Sequence, residues 1–267
     1  MALWHLLLLA ALQGVTEFLP VSSSGHLVLL PALTGLQDQG LFLDVAVHVG
    51  TLGAVVLYFR QDVARALRGT FGVLTGRRGP DERLALALFV ATLPVIAAGL
   101  ALSLTVGSEA LRSVTVIGWT TLLFGLLLYA CDQRGAEVKR TEDWTVGQAL
   151  VLGIWQAVAL IPGTSRSGIV ITGARALGYA REDAARIAML MSIPTILASG
   201  VLLSLDALAD PTGALWRDGA IAAALAFAAA LAALHLMMRL LRSVDFTPYV
   251  IYRVLLGSAL LAYAYLA

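Results

Sequence analysis

Long apolar stretches, separated by short polar segments, dominate the pattern along this chain of 267 residues. An α-helix needs about 20 apolar residues to cross about 30 Å of hydrocarbon, and six stretches have roughly that length. They are Leu41–Phe59, Ala85–Val106, Val114–Cys131, Ala184–Leu205, Ala220–Leu240 and Pro248–Leu266. The pattern therefore predicts six transmembrane helices.

Two other apolar segments are too short or too interrupted to cross a membrane as one regular helix. In the first, Leu3–Leu12 forms roughly 15 Å of helix, which reaches only the middle of the bilayer. A proline and three serines follow, and Leu27–Leu33 then leads back out. The second segment, Trp144–Leu177, repeats this shape. Both predict re-entrant helical hairpins, residues 1–33 and 144–178, and the alternative is one kinked spanning helix in each segment.

The polar parts of these two segments are copies of one motif. Gln13-Gly-Val-Thr-Glu-Phe-Leu-Pro-Val-Ser-Ser-Ser-Gly-His26 recurs 143 residues later, in altered form, as Gln156-Ala-Val-Ala-Leu-Ile-Pro-Gly-Thr-Ser-Arg-Ser-Gly-Ile169. Each copy precedes three predicted spans, and this odd number turns the second half upside down relative to the first. The chain is therefore predicted to be one all-α membrane domain, 1–267, with an inverted-topology repeat of residues 1–131 and 144–267.

Arginine in the connecting loops predicts the orientation of the helices, because cytoplasmic loops of membrane proteins carry an excess of Lys and Arg. The connection Arg60–Arg83 contains six arginines, whereas Thr34–Gly40 has neither Arg nor Lys. The first loop is therefore predicted to be cytoplasmic and the second external. On this basis the first hairpin enters the membrane from outside and the second from the cytoplasm, with both tips near the membrane centre.

Composition supports a membrane protein and excludes several other classes. The chain is 59% hydrophobic and 13% charged, with a mean hydropathy of +0.86, whereas soluble domains are about one-quarter charged. A formal net charge of +1 argues against nucleic acid as a partner. The single cysteine, Cys131, excludes an intrachain disulfide and a multi-cysteine metal site. Residues 1–12 lack the basic start of a signal peptide and are predicted to belong to the mature fold.

Charged and hydroxyl-bearing residues are concentrated in the two motif copies, although charges are costly within a membrane unless they serve a site. Glu17 and His26 lie in the first copy and Arg166 in the second. Seven hydroxyl groups accompany them: Thr16, Ser22, Ser23, Ser24, Thr164, Ser165 and Ser167. A guanidinium offers a planar fork of donors to phosphate oxygens, and Gly25 and Gly168 allow a close backbone approach. The combination predicts a phosphate site.

Several roles are open for the residues of this site. Ser23 precedes His26 by three residues, so one helical turn would let His26 take the Ser23 proton and make Ser23 a nucleophile. Glu17 would either orient His26 or hold a divalent cation that bridges phosphate oxygens. The serine run ahead of Leu27–Leu33 also resembles a helix N-cap, where free N–H groups favour an anion. Any one of the serines could instead bond only to a helix carbonyl.

Three charged residues also have structural explanations. His48 follows Asp44 by four residues and is expected to pair with it. Arg253 lies a little over one turn into the last predicted span and is expected to be a buried ion pair or packing anchor that supports the site. Arg166 itself has the alternative role of satisfying carbonyls that Pro162 frees from helix hydrogen bonding.

At these positions the sequence resembles the undecaprenyl-diphosphatase family of the bacitracin-resistance type. That family is marked by a Glu/Gln-x-x-x-Glu motif leading into Pro-Val-Ser-Ser-x-Gly-His, which stands here between Gln13 and His26. Its second marker, Pro-Gly-x-Ser-Arg-Ser-Gly, stands here at Pro162–Gly168. The similarity extends through Asp44–Thr51 and Phe246–Arg253, so it covers essentially the whole chain.

The resemblance implies a multi-pass enzyme of the inner (plasma) membrane that removes the terminal phosphate of undecaprenyl diphosphate on the outer, periplasmic side. The product is the lipid carrier for peptidoglycan building blocks. By the resemblance, Ser23 is the nucleophile or key hydroxyl, and His26 is the acid–base group. Arg166 stabilises the phosphates, and Glu17 binds the metal or assists proton transfer. A divalent cation, Mg²⁺ or Ca²⁺, is the expected cofactor, and a homodimer is a further expectation.

One position departs from some members of that family, because Gln13 replaces the first acidic residue and cannot ionise. Any metal is therefore expected to rest mainly on Glu17. The expected substrate-binding residues are Gln13, Thr16, Ser22, Ser24, Gly25, Thr164, Ser165, Ser167 and Gly168. The rival function is a prenyl-phosphate flippase, because inverted repeats with paired hairpins are typical of transporters.

Overall fold

Helices follow one another along the chain in the computed structural model, which describes residues 3–34, 40–105, 113–207 and 213–266. The α-helices are α1 Leu3–Thr16, α2 Ser23–Thr34, α3 Leu41–Tyr58, α4 Arg60–Leu74, α5 Pro80–Thr105, α6 Val114–Arg134, α7 Val146–Ala157, α8 Arg166–Ala176, α9 Arg181–Ala207, α10 Gly213–Leu240 and α11 Thr247–Leu266. Short 3₁₀ turns occur at Thr141–Asp143 and Val158–Leu160. Within the described ranges, the predicted all-α class is confirmed.

Five helices are long and apolar enough to cross a membrane. They are Leu41–Tyr58, Pro80–Thr105, Val114–Arg134, Leu215–Leu240 and Thr247–Leu266. Each contains or overlaps one of the six predicted spans. The sixth prediction, Ala184–Leu205, falls on α9, whose start is enclosed by protein from Ala184 to Met191 apart from Arg186. Parts of the predicted segments Thr34–Gly40 and Ala85–Val106 lie outside the described residues.

The arginine-rich connection between the first two predicted spans contains a helix, α4, that the hydropathy pattern does not reveal. α3 ends at Tyr58 and α4 begins at Arg60, so the chain turns within one residue. α4 packs against the start of α5, where a Cβ on Gly69 would lie 1.9 Å from the Asp81 carbonyl oxygen. The connection Arg60–Arg83 is therefore largely helical.

Both motif copies break the helix in the same way. α2 begins at Ser23 and α8 at Arg166, 143 residues later. The residues before them, Ser22 and Ser165, have φ of 75° and 71° and are the only non-glycine residues with positive φ in the described ranges. Such conformations are costly for a residue with a Cβ and persist only where the surroundings enforce them. The duplicated sequence therefore produces duplicated local structure.

Each of these serines also caps the helix that follows it. Ser22 Oγ accepts from the Gly25 N–H at 3.3 Å, and Ser165 Oγ accepts from the Gly168 N–H at 3.1 Å. An N-cap side chain satisfies one of the N–H groups that the first helical turn leaves without a partner. The predicted N-cap at the serine run is thereby confirmed, with Ser22 as the capping residue.

The helices that lead into the breaks also pack alike. α1 lies against α10, where a Cβ on Gly14 would come within 2.7 Å of the Ala226 carbonyl oxygen. α7 lies against α5, where a Cβ on Gly153 would come within 2.5 Å of the Ala91 carbonyl oxygen. Glycine permits this close approach of helix backbones. α5 and α10 hold the second spans of the first and second predicted repeats. In both cases, therefore, the helix that leads into the break packs against the second span of the other repeat.

The hydrophobic core surrounds α8. Every residue of this helix from Ser167 to Arg175 is buried, and α8 packs against α6, α7 and α9. A helix enclosed on all sides cannot present a solvent-facing stripe, so α8 lies in the interior of the protein. Its first residue, Arg166, therefore starts from a deeply enclosed position.

Candidate active site

The ends of the two broken helices meet at an ion pair between Glu17 and Arg166. Glu17 follows α1 directly, and its N–H still donates to the Gln13 carbonyl at 2.9 Å. Arg166 Nη2 donates to Glu17 Oε1, and Arg166 Nη1 donates to the Ser192 carbonyl at 3.3 Å. The Glu17 side chain is 5% exposed and that of Arg166 17%. Because a buried charge is tolerated only when it is paired, each residue holds the other in place.

The second oxygen of Glu17 accepts hydrogen bonds from the same motif copy. Ser23 Oγ donates to Glu17 Oε2 at 2.5 Å, and Gln13 Nε2 donates to it at 2.9 Å. Ser23 is the first residue of α2, as Arg166 is the first residue of α8. One carboxylate therefore contacts the hydroxyl and the guanidinium that occupy equivalent positions in the two copies.

The structure does not contain the expected hydrogen bond between Ser23 and His26, although both residues are described. His26 Nδ1 lies 2.7 Å from the Ser22 carbonyl oxygen, and Nε2 lies 2.5 Å from the Tyr252 hydroxyl. The helical spacing is present, but the Ser23 hydroxyl turns toward Glu17, which carries a full charge. In this conformation the base in contact with Ser23 is the carboxylate rather than the imidazole.

The environment of His26 assigns its tautomer. A carbonyl oxygen only accepts hydrogen bonds, so the Nδ1 that faces Ser22 carries the hydrogen. Nε2 then has a lone pair in the neutral ring and accepts from the Tyr252 hydroxyl. The two rings also stack, with centroids 5.8 Å apart and planes 13° from parallel. Tyr252 lies on α11, 226 residues from His26, so no local sequence signal linked them.

His48 is a second residue whose position the sequence did not predict. Its Nδ1 lies 2.7 Å from the main-chain carbonyl oxygen of Asp44, one helical turn earlier. Its Nε2 lies 3.9 Å from Glu17 Oε2. The spacing identified the neighbouring residue correctly, but it could not show that the ring reaches the Glu17 carboxylate as well. His48 is half-buried and belongs to the same cluster.

Arg253 joins the two chain breaks. Its buried guanidinium donates to the carbonyl of Pro20 at 3.2 Å and to those of Gly163 and Thr164 at 3.2 and 3.0 Å. Further bonds reach the carbonyls of Thr120 and Thr121 on α6. Of the two roles expected for Arg253, the packing anchor is confirmed, because all of these acceptors are main-chain carbonyls.

Some of the remaining predicted substrate ligands already donate hydrogen bonds to main-chain carbonyls, and others do not. Thr16 Oγ1 donates to the Leu12 carbonyl at 2.6 Å, and Ser167 Oγ donates to the Leu19 carbonyl at 2.9 Å. These two hydroxyls are therefore already used by the backbone. Thr164 Oγ1 is buried and has no hydrogen-bond partner among the described residues. Ser24, in contrast, is exposed and its Oγ lies 3.5 Å from that of Ser22.

The two motif glycines are needed for close contacts. A Cβ on Gly168 would lie 2.9 Å from Arg253 Nη1, in the path of the anchoring guanidinium. A Cβ on Gly25 would lie 3.2 Å from the Ser22 Oγ that caps α2. Both glycines therefore preserve the arrangement of the chain breaks.

A resident metal site is not apparent from the protein ligands alone. Within the described ranges, no group of three or more His, Cys, Asp or Glu side chains could hold a metal ion. The carboxylate of Glu17 already accepts from three donors. The Gln13 Oε1 atom is buried and has no hydrogen-bond partner among the described residues, so it is an oxygen ligand that is still available. Glu17 and Gln13 could thus supply two oxygen ligands, and a bound phosphate would have to supply the rest.

Comparison with known sequences identifies the family. The sequence matches the family described as Bacitracin resistance protein BacA over residues 6–259. The chain belongs to this family. A relative from Ruegeria pomeroyi, named undecaprenyl-diphosphatase, is 67% identical over 99% of this chain and 100% of its own length. Relatives of the same name from Dinoroseobacter shibae and Saccharophagus degradans are 62% and 45% identical, over 99% and 100% of this chain and all of their own lengths.

The resemblance found in the motifs of this BacA-family chain is thereby confirmed over the whole sequence. Chemically, its cluster combines a hydroxyl group, a carboxylate and a guanidinium in a largely enclosed place. The first turns of α2 and α8 add main-chain N–H groups at the same point, where helix dipoles favour an anion. Such a set can bind a phosphoryl group and activate a hydroxyl next to it.

Proposed function

We propose that this protein is a membrane phosphatase that hydrolyses undecaprenyl diphosphate to undecaprenyl phosphate and inorganic phosphate. The observation that carries the proposal is the contact of one carboxylate, Glu17, with both Ser23 and Arg166 at the starts of α2 and α8. Full-length relatives named undecaprenyl-diphosphatase support the choice of substrate. The reaction would recycle the lipid carrier used in peptidoglycan synthesis.

Substrate binding exchanges the partner of Arg166. The terminal phosphate takes the guanidinium from Glu17, because a dianion with several oxygens offers Arg166 a bidentate acceptor. The main-chain N–H groups at the starts of α2 and α8 bind the other phosphate oxygens. Glu17 is then released from Arg166 and still accepts the hydrogen bond of the Ser23 hydroxyl, so it is in place to take the Ser23 proton.

Ser23 is the nucleophile in the proposed reaction. Its proton passes to Glu17 as Oγ forms a bond to the terminal phosphorus, and the bond from that phosphorus to the bridging oxygen breaks. The bridging oxygen leaves with undecaprenyl phosphate. Water then attacks the phosphoserine: its hydroxyl group joins the phosphorus and its other proton passes to His26. The Ser23 oxygen leaves with the proton that Glu17 held, so inorganic phosphate is released and Glu17 is ionised again. In the alternative, Ser23 aligns a water molecule that attacks the phosphorus directly.

His26 and the cation complete the proposal. His26 Nε2, paired with Tyr252, exchanges the proton that accompanies water attack and phosphate release. A divalent cation, Mg²⁺ or Ca²⁺, would be held by Glu17, the free oxygen of Gln13 and the two phosphates. When bound, it neutralises charge that develops on the phosphate oxygens.

The expected membrane arrangement supports this use of the site. We infer six spans and two re-entrant hairpins that enter from opposite sides of the inner membrane, with the site open to the periplasm. Only the diphosphate needs to reach the hairpin tips, because the bilayer solvates the prenyl tail. A homodimer remains part of the proposal.

Phosphate release by the purified protein in detergent tests the function directly, since detergent micelles have no two sides and flipping cannot contribute. We expect release from undecaprenyl diphosphate, its loss in Glu17→Ala, and its decrease after a chelator with recovery on adding Mg²⁺ or Ca²⁺. When the substrate carries tritium in its prenyl chain, the labelled product should be undecaprenyl phosphate. If the folded protein binds undecaprenyl diphosphate but releases no phosphate from it, the assignment is contradicted.

A further inference from the structure

The helix α4 presents its apolar side chains away from the protein. Leu67, Phe71 and Leu74 follow one another at helical spacing, and they are 66%, 75% and 80% exposed. Residues at i, i+4 and i+7 share one face of a helix, so they form a continuous stripe. These three residues form the outer face of α4.

The opposite side of α4 is polar and is fixed to the protein by ion pairs. Asp62 is buried and accepts from Arg186 Nη2 and Nε at 2.6 and 2.9 Å. Arg65 Nε donates to Asp81 at 3.0 Å, and Gly69 packs against the α5 backbone. Rotating α4 to bury its apolar stripe would separate these charges, so the outer face cannot turn inward.

Length and position place α4 at a membrane boundary. Its 15 residues correspond to about 22 Å of helix, which is too short to cross the hydrocarbon. It connects α3 and α5, both of which are long and apolar enough to span. A helix between the ends of two adjacent spans, with apolar residues on its free side, matches the geometry of helices that lie in the plane of the interface.

The charges around the outer face are basic. Arg60, Arg68, Arg77 and Arg78 are exposed, and in the described part of the chain Arg60, Arg77 and Arg78 have no carboxylate within ion-pair distance. The nearby acids Asp62 and Asp81 are already bound to arginines, and the Glu82 carboxylate lies against Gly72 and Gly79 on the side of α4 that faces α5. A two-fold dimer through this face would place the same arginines opposite each other. Anionic headgroups provide the complementary charge instead.

We propose that α4 and the following turn form a binding surface for anionic phospholipids, with the outer face among the acyl chains and the four arginines on the headgroups. The surface lies on the side of the membrane at which α3 ends. It is independent of the phosphatase proposal, because it shares no residue with the cluster around Glu17.

Depth measurement by electron paramagnetic resonance tests the membrane contact. The chain has one native cysteine, so Cys131→Ser gives a background for a nitroxide at Phe71→Cys, with Ser243→Cys in the exposed α10–α11 turn as control. In phosphatidylglycerol nanodiscs we expect the label at position 71 to collide with oxygen and to be shielded from a water-soluble nickel chelate. The control label should show the reverse. Equal nickel access at both positions, or spin–spin broadening from a second copy, would overturn the proposal.

The headgroup contact has a separate test. The midpoint of thermal unfolding should be higher in phosphatidylglycerol than in phosphatidylcholine, by about 2–4 °C for each arginine that binds a headgroup. Arg77→Gln/Arg78→Gln should remove much of this difference. Arg134→Gln/Arg239→Gln, which changes two exposed arginines elsewhere, should keep it. No lipid difference in the unchanged protein, or an equal loss in both variants, would exclude a headgroup site at α4.

Discussion

Arg253 donates a hydrogen bond from Nη1 to the main-chain carbonyl of Pro20, 3.2 Å away and 233 residues earlier in the chain. Its Nη2 donates to the carbonyl of Gly163, which occupies the position of Pro20 in the second motif copy. One guanidinium thus holds equivalent carbonyls of both chain breaks. The relative placement of Glu17 and Arg166 depends on this side chain, although Arg253 touches neither in the contacts described above.

Replacement of Arg253 should therefore affect stability and activity together. Arg253→Met removes the donor for five main-chain carbonyls and should lower the free energy of unfolding by at least about 3 kcal/mol. Arg253→Lys keeps the charge but cannot bridge both breaks, so phosphate release should fall at least about tenfold. Thermal unfolding and product assays measure both effects. Arg239→Lys, an exposed control, should match the unchanged enzyme, and a fully active Arg253→Lys would exclude the bridging role.

Ser23→Ala should abolish the chemical step while leaving the fold intact. The loss expected for a nucleophile is roughly a thousandfold or more in kcat. A matched control is Ser103→Ala, since Ser103 is exposed on α5 and bonds only to the Leu100 carbonyl. Mass spectrometry of the acid-quenched native enzyme should find phosphate on Ser23. Activity within a few-fold of normal in Ser23→Ala would exclude both the nucleophilic and the water-aligning role of Ser23.

Arg166→Lys tests whether Arg166 acts through the planar geometry of its donors or only through its positive charge. Lysine still neutralises Glu17, so the protein should fold, but it cannot bind two phosphate oxygens side by side. We expect kcat/KM to fall about a hundredfold, with an increase in KM for undecaprenyl diphosphate. Steady-state phosphate release gives both constants. Unchanged kinetics would mean that Arg166 serves only to balance Glu17.

Tyr252→Phe tests the partner of His26. The variant keeps the stacked ring and removes the hydroxyl that faces Nε2. We expect a moderate loss in kcat, about tenfold, and a change in the ¹⁵N shift of His26 Nε2 in labelled protein. Tyr263→Phe, on the same helix, is the control. If the imidazole signals of His26 are identical in Tyr252→Phe and in the native protein, the contact does not exist in solution.

Gln13→Glu probes the cation. A second carboxylate beside Glu17 should strengthen binding of a divalent ion and lower the Mg²⁺ concentration for half-maximal activity, because binding rises with ligand charge. Without the ion, the same substitution should destabilise the protein, since it adds a second buried acid that Arg166, already paired with Glu17, cannot balance fully. Titration of activity and of the unfolding midpoint with Mg²⁺ measures both effects. An unaltered Mg²⁺ requirement would place the ion away from Gln13 and Glu17.

The sequence allowed the spans and the chain breaks to be predicted because apolar length and proline-glycine interruptions act locally. It did not reveal α4, since Leu67, Phe71 and Leu74 are interleaved with arginines and glycines that lower the mean hydropathy of the segment. The amphipathic period is present in the sequence, but the arginines dominate the composition of the segment. A helix whose polar side faces the protein also inverts the pattern that signals a helix in a soluble domain.

The sequence indicated which residues lie together in the cluster, but it indicated few of the contacts between them. Residue spacing placed Ser23 and His26 on one side of a turn, yet the left-handed residue before Ser23 and the charge on Glu17 decide where its hydroxyl points. His26 pairs with Tyr252, and Arg253 with Pro20, across more than 200 residues. Such partners depend on how α11 packs against the chain breaks, which no local pattern contains.

Ser23 and Arg166 stand at equivalent positions of the two motif copies, each as the first residue of its helix, and the two copies carry different chemical groups. Where the first has Glu17 and His26, the second has Leu160 and Ile169. Two copies of the first motif would place two carboxylates together without Arg166, and two copies of the second motif would place two guanidinium groups together without Glu17 or Ser23. The cluster therefore depends on the difference between the two motif copies, because its carboxylate and its guanidinium come from different halves of the chain.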